Sequence, residues 1–198
     1  MLANEYLKNH NAGNDSFVKL SKILTFYSEK PVLLVNEKDY KVLGVRSHGK
    51  GCFVSKIVKG RELKKTLKYR PIKDDSLFWC KVDTKSGGFG LITKDYSDCV
   101  VTSNMATAKL NINLILPKYF SLVISSSDFE SMVSKASSGS TNRKYLTPPD
   151  LLEKIYIPLP SILEQIKIVK KYDEVEKLRN NLNKEHDSLR HTILDLWR

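Results

Sequence analysis

The sequence predicts an α+β protein: a globular domain with a mixed β-sheet and flanking helices, followed by one long coiled-coil helix. Three observations predict it. Between residues 42 and 103, short runs rich in Val, Ile, Phe and Trp are separated by turns of Gly, Ser, Lys and Asp, the patterning of strands. Runs at 118–125 and 128–134 fit two helices. From Ser161 the chain runs to residue 198 without Gly or Pro, with apolar residues every three or four positions. The expected organisation is therefore a polar segment over 1–16, a domain over 17–160 and a helix over 161–198.

Taken in order, Phe17, Leu20, Ile23 and Leu24 form a short helical stripe. Lys30–Val35 is a compact apolar run. Val42–Val45 and Gly51–Val58 read as strands around the turn Ser47-His48-Gly49-Lys50. Asp75–Val82 is rich in β-formers, and Ser86–Ile92 is a turn entering another strand. Cys99–Ser103 is a further strand. Leu151–Ile157 is ambiguous: its start suits a helix, and Ile155–Ile157 is extended before Pro158. Ser161 and Glu164 form a capping box just after Pro160. Ile168, Tyr172, Val175, Leu182, Leu189, Ile193 and Leu196 then lie on one heptad seam, interrupted by Arg179 and His186. A rod of this length leaves most of its seam uncovered by a small domain, so it calls for a second helix; a helix folded back on its own domain is the plainer alternative.

A chain of 198 residues can hold one core plus an appendage. No stretch reaches the ~18 consecutive apolar residues of a membrane span. Met1–Asn14 has no apolar core of a secretory signal. Cys52, Cys80 and Cys99 are widely spaced, which suits reduced thiols in a cytoplasmic protein and does not suit a structural zinc site.

The net charge is +11, and its placement is informative. Residues 41–94 carry 14 Lys or Arg and 4 acids, a local excess of +10. Residues 161–198 carry 8 Lys or Arg and 7 acids, so the helix is nearly neutral. A field concentrated in one segment favours polyanions such as nucleic-acid phosphates; a solvated basic face is the plainer alternative.

Catalytic motifs are scarce. There is no GxxxxGK[ST] phosphate loop and no Asn/Asp-Pro-Pro-aromatic tetrapeptide of an amino-methyltransferase. The Gly87–Gly90 cluster lacks the acidic residue that would hold a ribose. It suits a tight turn or a close backbone approach to DNA. Asp75, Asp83 and Lys85 could imitate the two carboxylates and lysine of a metal-dependent nuclease, an alternative the sequence leaves open. A non-catalytic coiled-coil scaffold is another. Ser138–Lys144 offers hydroxyls and backbone N–H groups for phosphates, with Asn and Arg for base edges; an ordinary loop has the same composition.

The order of these pieces resembles the DNA specificity (S) subunits of type I restriction-modification systems. Gly87-Gly88-Phe89-Gly90-Leu91-Ile92 resembles the family's glycine-aromatic-glycine strand, and Val101-Thr102-Ser103-Asn104-Met105 its Val-x-Ser-Asn segment. Leu116–Phe120 resembles its Pro-x-Tyr helix start, and Ser138–Arg143 its Ser-Gly-Ser-Thr-x-Arg loop. Ile157-Pro158-Leu159-Pro160, with Glu164-Gln165 and Ile168, resembles its junction with the conserved helix, and Leu189–Leu196 the end of that helix.

The resemblance implies a target-recognition domain that reads one half of a bipartite site in double-stranded DNA. The helix would act as spacer and as dock for methyltransferase (M) subunits and, through them, restriction (R) subunits. It implies no catalytic residue, metal or cofactor in this chain. A complete S subunit has two such domains and two helices, whereas this chain has one of each. The expectation is a half-subunit, or part of a longer chain, pairing through its helix with a second copy or another half. The residues expected on the DNA face are Arg46, Ser47, His48, Lys50, Lys56, Lys81, Lys85, Ser103, Asn104, Ser140, Thr141, Asn142, Arg143 and Lys144.

Overall fold

The computed structural model describes residues 17–82, 88–140 and 143–196. The chain divides into two compact units, one ending at Pro160 and one beginning at Ser161. The first contains two four-stranded sheets and two short ribbons. Sheet one is antiparallel in the order β2 (Leu24–Tyr27), β9 (Met105–Leu110), β6 (Ser76–Cys80), β7 (Phe89–Ile92). Sheet two has the order β4 (Cys52–Lys59), β3 (Asp39–Val45), β8 (Cys99–Thr102), β5 (Tyr69–Pro71). It is mixed, because β3 and β8 run parallel while the other neighbours are antiparallel. The ribbons pair β1 (Phe17–Lys19) with β12 (Tyr156–Pro158), and β10 (Ser138–Ser140) with β11 (Arg143–Tyr145).

Strand alternation decides where the core lies. Leu43, Cys99 and Val101 of sheet two, with Cys52 and Ile72, meet Phe78 and Ile92 of sheet one in one buried cluster. Tyr40, Val42 and Val100 point to the other face, where Leu63 and Tyr69 join them and Val32, Leu34 and Leu67 pack around the edge. The Lys30–Val35 run is thus a cover rather than a strand; it is held by Val32 N–H donating to the Tyr69 carbonyl at 2.9 Å.

The structure corrects one reading and adds one strand. Phe17–Leu24 is not helical: β1, a 3-10 turn at Leu20–Lys22 and β2 follow one another. Val18 lies in register with Ile157, and Leu20 N–H bonds the Ile155 carbonyl at 3.0 Å, so pairing with a distant segment overrides a weak local period. Met105–Leu110, which carries no conspicuous strand pattern, is an inner strand of sheet one paired on both sides.

Helices α1 (Pro117–Ile124), α2 (Ser127–Ala136) and α3 (Pro148–Lys154) belong to the first unit. Proline stands in the first turn of α1 and α3, where its missing N–H costs nothing. Ser126 caps α2 by accepting from Phe129 N–H at 3.1 Å. Phe129 packs edge-on against Phe89 of β7, centroids 5.3 Å apart, and the Tyr119 hydroxyl donates to the Pro158 carbonyl at 3.1 Å. Leu151–Ile157 resolves as the end of α3 followed by β12.

The second unit is one helix, α4 (Ile162–Leu196), of 35 residues. At 1.5 Å per residue it is about 52 Å long. Ser161 Oγ accepts from Glu164 N–H at 3.3 Å, the first half of the expected cap. Ile168 is buried and Tyr172 and Val175 half-buried, but Leu182 and Leu189 are each 64% exposed. The side chains of Ile193 and Leu196 lie outside the described residues. Among the described residues no helix is long and apolar enough to cross a membrane.

Candidate nucleic-acid interface

Strand register brings several loops to one end of the first unit. β3 ends at Val45, opposite Cys52. β8 runs parallel to β3, Lys41 beside Cys99, so its last residue, Thr102, lies towards the same end. β5 starts there, with Tyr69 opposite Thr102. Ser103 and Asn104 then form the turn that carries the chain from β8 of sheet two into β9 of sheet one. At the start of β9, Met105 pairs with Cys80, the last residue of β6. Gly88 lies where the two sheets come together at this end: its carbonyl accepts Cys80 N–H at 3.4 Å, and Val45 of β3 is close by.

The β10–β11 ribbon is stitched to the same place. Tyr145 bridges to Val82, Leu146 N–H donates to the Lys81 carbonyl at 3.2 Å, and Lys81 N–H donates to the Asn104 carbonyl at 3.0 Å. The buried Trp79 holds the ribbon's exit by donating from Nε1 to the Leu146 carbonyl at 3.2 Å. Ser140 and Arg143 are opposite one another at the end where β10 connects to β11, and Lys144 is opposite Gly139; their side chains lie outside the described residues, as do Thr141, Asn142 and Lys85 entirely.

Of the expected residues, the structure therefore gathers Arg46, Lys81, Ser103, Asn104 and the ribbon. Arg46 is exposed but not loose: its guanidinium lies 4.7 Å from the Phe53 ring centroid and donates to the Cys52 carbonyl at 3.1 Å. Ser47 and Lys50 are exposed in the adjoining turn. His48 has a structural partner there. Its Nδ1 is 3.0 Å from Glu130 Oε1 of α2, and Ser125 Oγ donates to the Gly49 carbonyl at 3.1 Å. Gly49, at φ 62°, is forced by this docking, since a Cβ would meet the Ile124 carbonyl oxygen at 2.7 Å. Lys56 does not join the group. It sits opposite Val42 in the middle of edge strand β4, beside a bulge between Val42 and Leu43.

Two cations that sequence reasoning passed over belong to this end. Lys68 directly precedes Tyr69, and Arg70 follows it, opposite Val101. Nothing in the linear order separates them from the other basic residues of the segment; only the β5–β8 register does. Conversely, several of those residues are spoken for. Lys41 is 2.7 Å from Asp98 and Lys73 is 2.6 Å from Glu29, and in both cases hydrogen bonding to the carboxylate raises the lysine pKa. Lys59 pairs with Asp39 and Arg61 with Glu37.

Within the glycine cluster, Gly90 serves the fold. A Cβ on Gly90 would lie 2.5 Å from Cys52 Sγ and 2.8 Å from Cys52 N, so its close approach is to the protein's own β4 and not to DNA. Cys52 is correspondingly inert: burial pushes its thiol pKa up to about 12. The three cysteines are free thiols.

Of the nuclease arrangement, only Asp75 lies within the described residues. Asp75 faces Lys109 at 3.9 Å. Asp83 lies outside the described residues, and among the described residues no three His, Cys, Asp or Glu side chains gather as a metal site.

No family model and no curated protein matches the sequence. Solved structures do match the fold. The HsdS subunit from Thermoanaerobacter tengcongensis superposes with a TM-score of 0.64 at 15% identity, over 85% of this chain and 44% of that one. The fold is that of a type I specificity subunit. A chain from a type I R-M system, solved for its complex assembly and conformational transition, matches at TM-score 0.60 and 16% identity, over 92% of this chain and 49% of that one. The type I S subunit from M. genitalium matches at 0.54 and 15%, over 90% and 43%. This chain thus spans less than half the length of each of these three matched chains.

Proposed function

We propose that this chain is a sequence-specific DNA recognition subunit of a type I restriction-modification system, without catalysis of its own. Its first unit reads one half of a bipartite site in double-stranded DNA. Helix α4 pairs antiparallel with the helix of a second copy, or of another half-subunit, and sets the spacing between two recognition domains. A two-fold pair of identical halves reads a symmetric split motif. The helix also docks M subunits and, through them, R subunits, in the cytoplasm.

The observation that carries this reading is the convergence at one end of two sheets of Arg46, Lys81, the Ser103–Asn104 turn and the Ser138–Tyr145 ribbon. Cations, hydroxyls and an amide on turns held by paired strands suit phosphate positioning and base reading together. The shared fold and the local +10 charge support it. The exposure of Leu182 and Leu189 supports helix pairing.

The test is methyl transfer to mixed-sequence DNA by the cognate M subunit with S-adenosylmethionine, with and without this chain, with the marks located by sequencing. Marks that require the chain and fall at one recurring split motif are expected. Marks that ignore the chain, with the protein folded, refute the reading.

A further inference from the structure

We infer that the hollow between the two sheets is a phosphate-binding site in which Arg70 and Lys81 hold the anion. The hollow has a volume of about 240 Å³ and lies between the end of β2, the β5 strand and the start of β9. Arg70 and Lys81 line it together with Phe26, Tyr27, Glu29 and Met105.

Charge is the reason for assigning an anion. Among the described residues Glu29 is the one acid on the wall, and Lys73 holds it at 2.6 Å. Neither Arg70 nor Lys81 has an ion-pair partner among the described residues, although Lys41, Lys59, Arg61 and Lys73 in the same basic segment all do. Arg70 and Lys81 both line this recess, and an anion bound there would be attracted by both positive charges. The Arg fork presents two parallel N–H groups to two oxygens, and the Lys ammonium adds a compact charge; the combination suits a phosphate. The apolar walls from Phe26, Tyr27 and Met105 displace water and strengthen the attraction.

Position argues for a diester. Lys81 N–H bonds the Asn104 carbonyl, so the hollow adjoins the Ser103–Asn104 turn of the candidate interface. A DNA backbone crossing that end passes the hollow's rim. The diester source rests on the DNA-recognition reading; the anion site itself does not.

The experiment has two arms. In the first, affinity for a mixed-sequence duplex is measured against salt for the wild type, Arg70→Gln, Lys81→Gln and Arg70→Lys. Each Gln variant is expected to lower the slope of log K against log salt by about 0.9, with base preference unchanged. Arg70→Lys should keep the slope and lose affinity. Among the described residues neither side chain makes a hydrogen bond or ion pair that supports the fold, and circular dichroism checks that each variant is folded. An unchanged slope and affinity in both Gln variants overturns the site and leaves DNA recognition standing.

In the second arm, inorganic phosphate and a thymidine dinucleotide are titrated separately into the wild type while the Arg70 Nε–H signal is followed by NMR. A shift with the dinucleotide supports a diester. A shift with inorganic phosphate alone supports the anion site and assigns it a free phosphate. If the wild type binds no duplex, DNA recognition fails, and this arm decides the hollow alone: no shift with either probe overturns it.

Discussion

Replacing Gly90 by Ala should destabilise the first unit sharply, and the structure sets the size of the effect. Gly90 lies in β7 opposite Phe78, where β7 crosses the start of β4. The added methyl would stand 2.5 Å from Cys52 Sγ, 2.8 Å from Cys52 N and 2.9 Å from Gly51 C. Ordinary contacts between such atoms are about 3.5–4.0 Å, so each overlap approaches or exceeds half an ångström and the worst exceeds one. Two of the three atoms are backbone and have no rotamer to move to. The hairpin cannot recede freely, because its turn is seated on α1 through Gly49 and on α2 through His48. The cost should reach about 3 kcal/mol, the upper part of the overpacking range. For a unit of this size that lowers Tm by about 6–12 °C.

Calorimetry or circular dichroism melting of the whole chain provides the assay, with two controls. Gly51→Ala has open space around its Cβ and should cost only about 1–2 kcal/mol for its positive φ of 83°. Adding Cys52→Ala to Gly90→Ala removes the sulfur overlap and leaves both backbone overlaps, so it should restore less than half the loss. Stability of Gly90→Ala within about 0.5 kcal/mol of wild type, or full rescue by Cys52→Ala, would refute the reasoning.

Three further outcomes are expected. Trp79→Phe removes the Nε1 bond to the Leu146 carbonyl and shrinks a fully buried ring, so the denaturant midpoint should fall by the equivalent of about 2–3 kcal/mol. Duplex affinity should fall with it, because the ribbon hangs on that bond. The Cys52 thiol, ordinarily at 9.0 and pushed to about 12 when folded, keeps its proton in the native state where the unfolded chain loses it. Folding therefore takes up a proton across that window, and stability drops as pH rises from about 9 to 12, by at most about 1.4 kcal/mol per pH unit. Cys52→Ala should flatten that part of the urea-midpoint profile, and an identical profile would exclude Cys52 as its source. Leu182→Lys with Leu189→Lys places charge on the exposed seam; light scattering should show a dimer in wild type and a monomer in the variant, with the melting of the first unit unchanged.

Legibility in the sequence followed the kind of interaction. Capping and periodicity are local, so α4 was readable from Ser161, Glu164 and the spacing of its leucines. The runs at 118–125 and 128–134 likewise marked α1 and α2. Strands with bulky β-formers, such as Leu77–Trp79 and Val100–Val101, announced themselves. Met105–Leu110 did not, because Ala106 and Ala108 are small where β9 is buried, and small residues carry no strand signal. Phe17–Leu24 misled because its apolar spacing fits a helix, while its hydrogen bonds are taken up by Tyr156–Pro158, far along the chain.

The candidate site divides in the same way. Residue types determined by themselves that the chain carries a concentrated positive segment, a Ser-Gly-Ser-Thr-Asn-Arg run suited to nucleic acid and a long helix with an apolar seam. These are properties of composition and short spacing, and they need no tertiary contact. Which cations belong together was decided only by the fold. The parallel pairing of β3 with β8 and the antiparallel entry of β5 place Lys68 and Arg70 at the end shared by Arg46 and Lys81, and leave Lys56 in the middle of an edge strand. His48, equally polar in the sequence, became a peg against Glu130. Register is set by burial and hydrogen bonding between distant segments, so no local reading of charge can supply it.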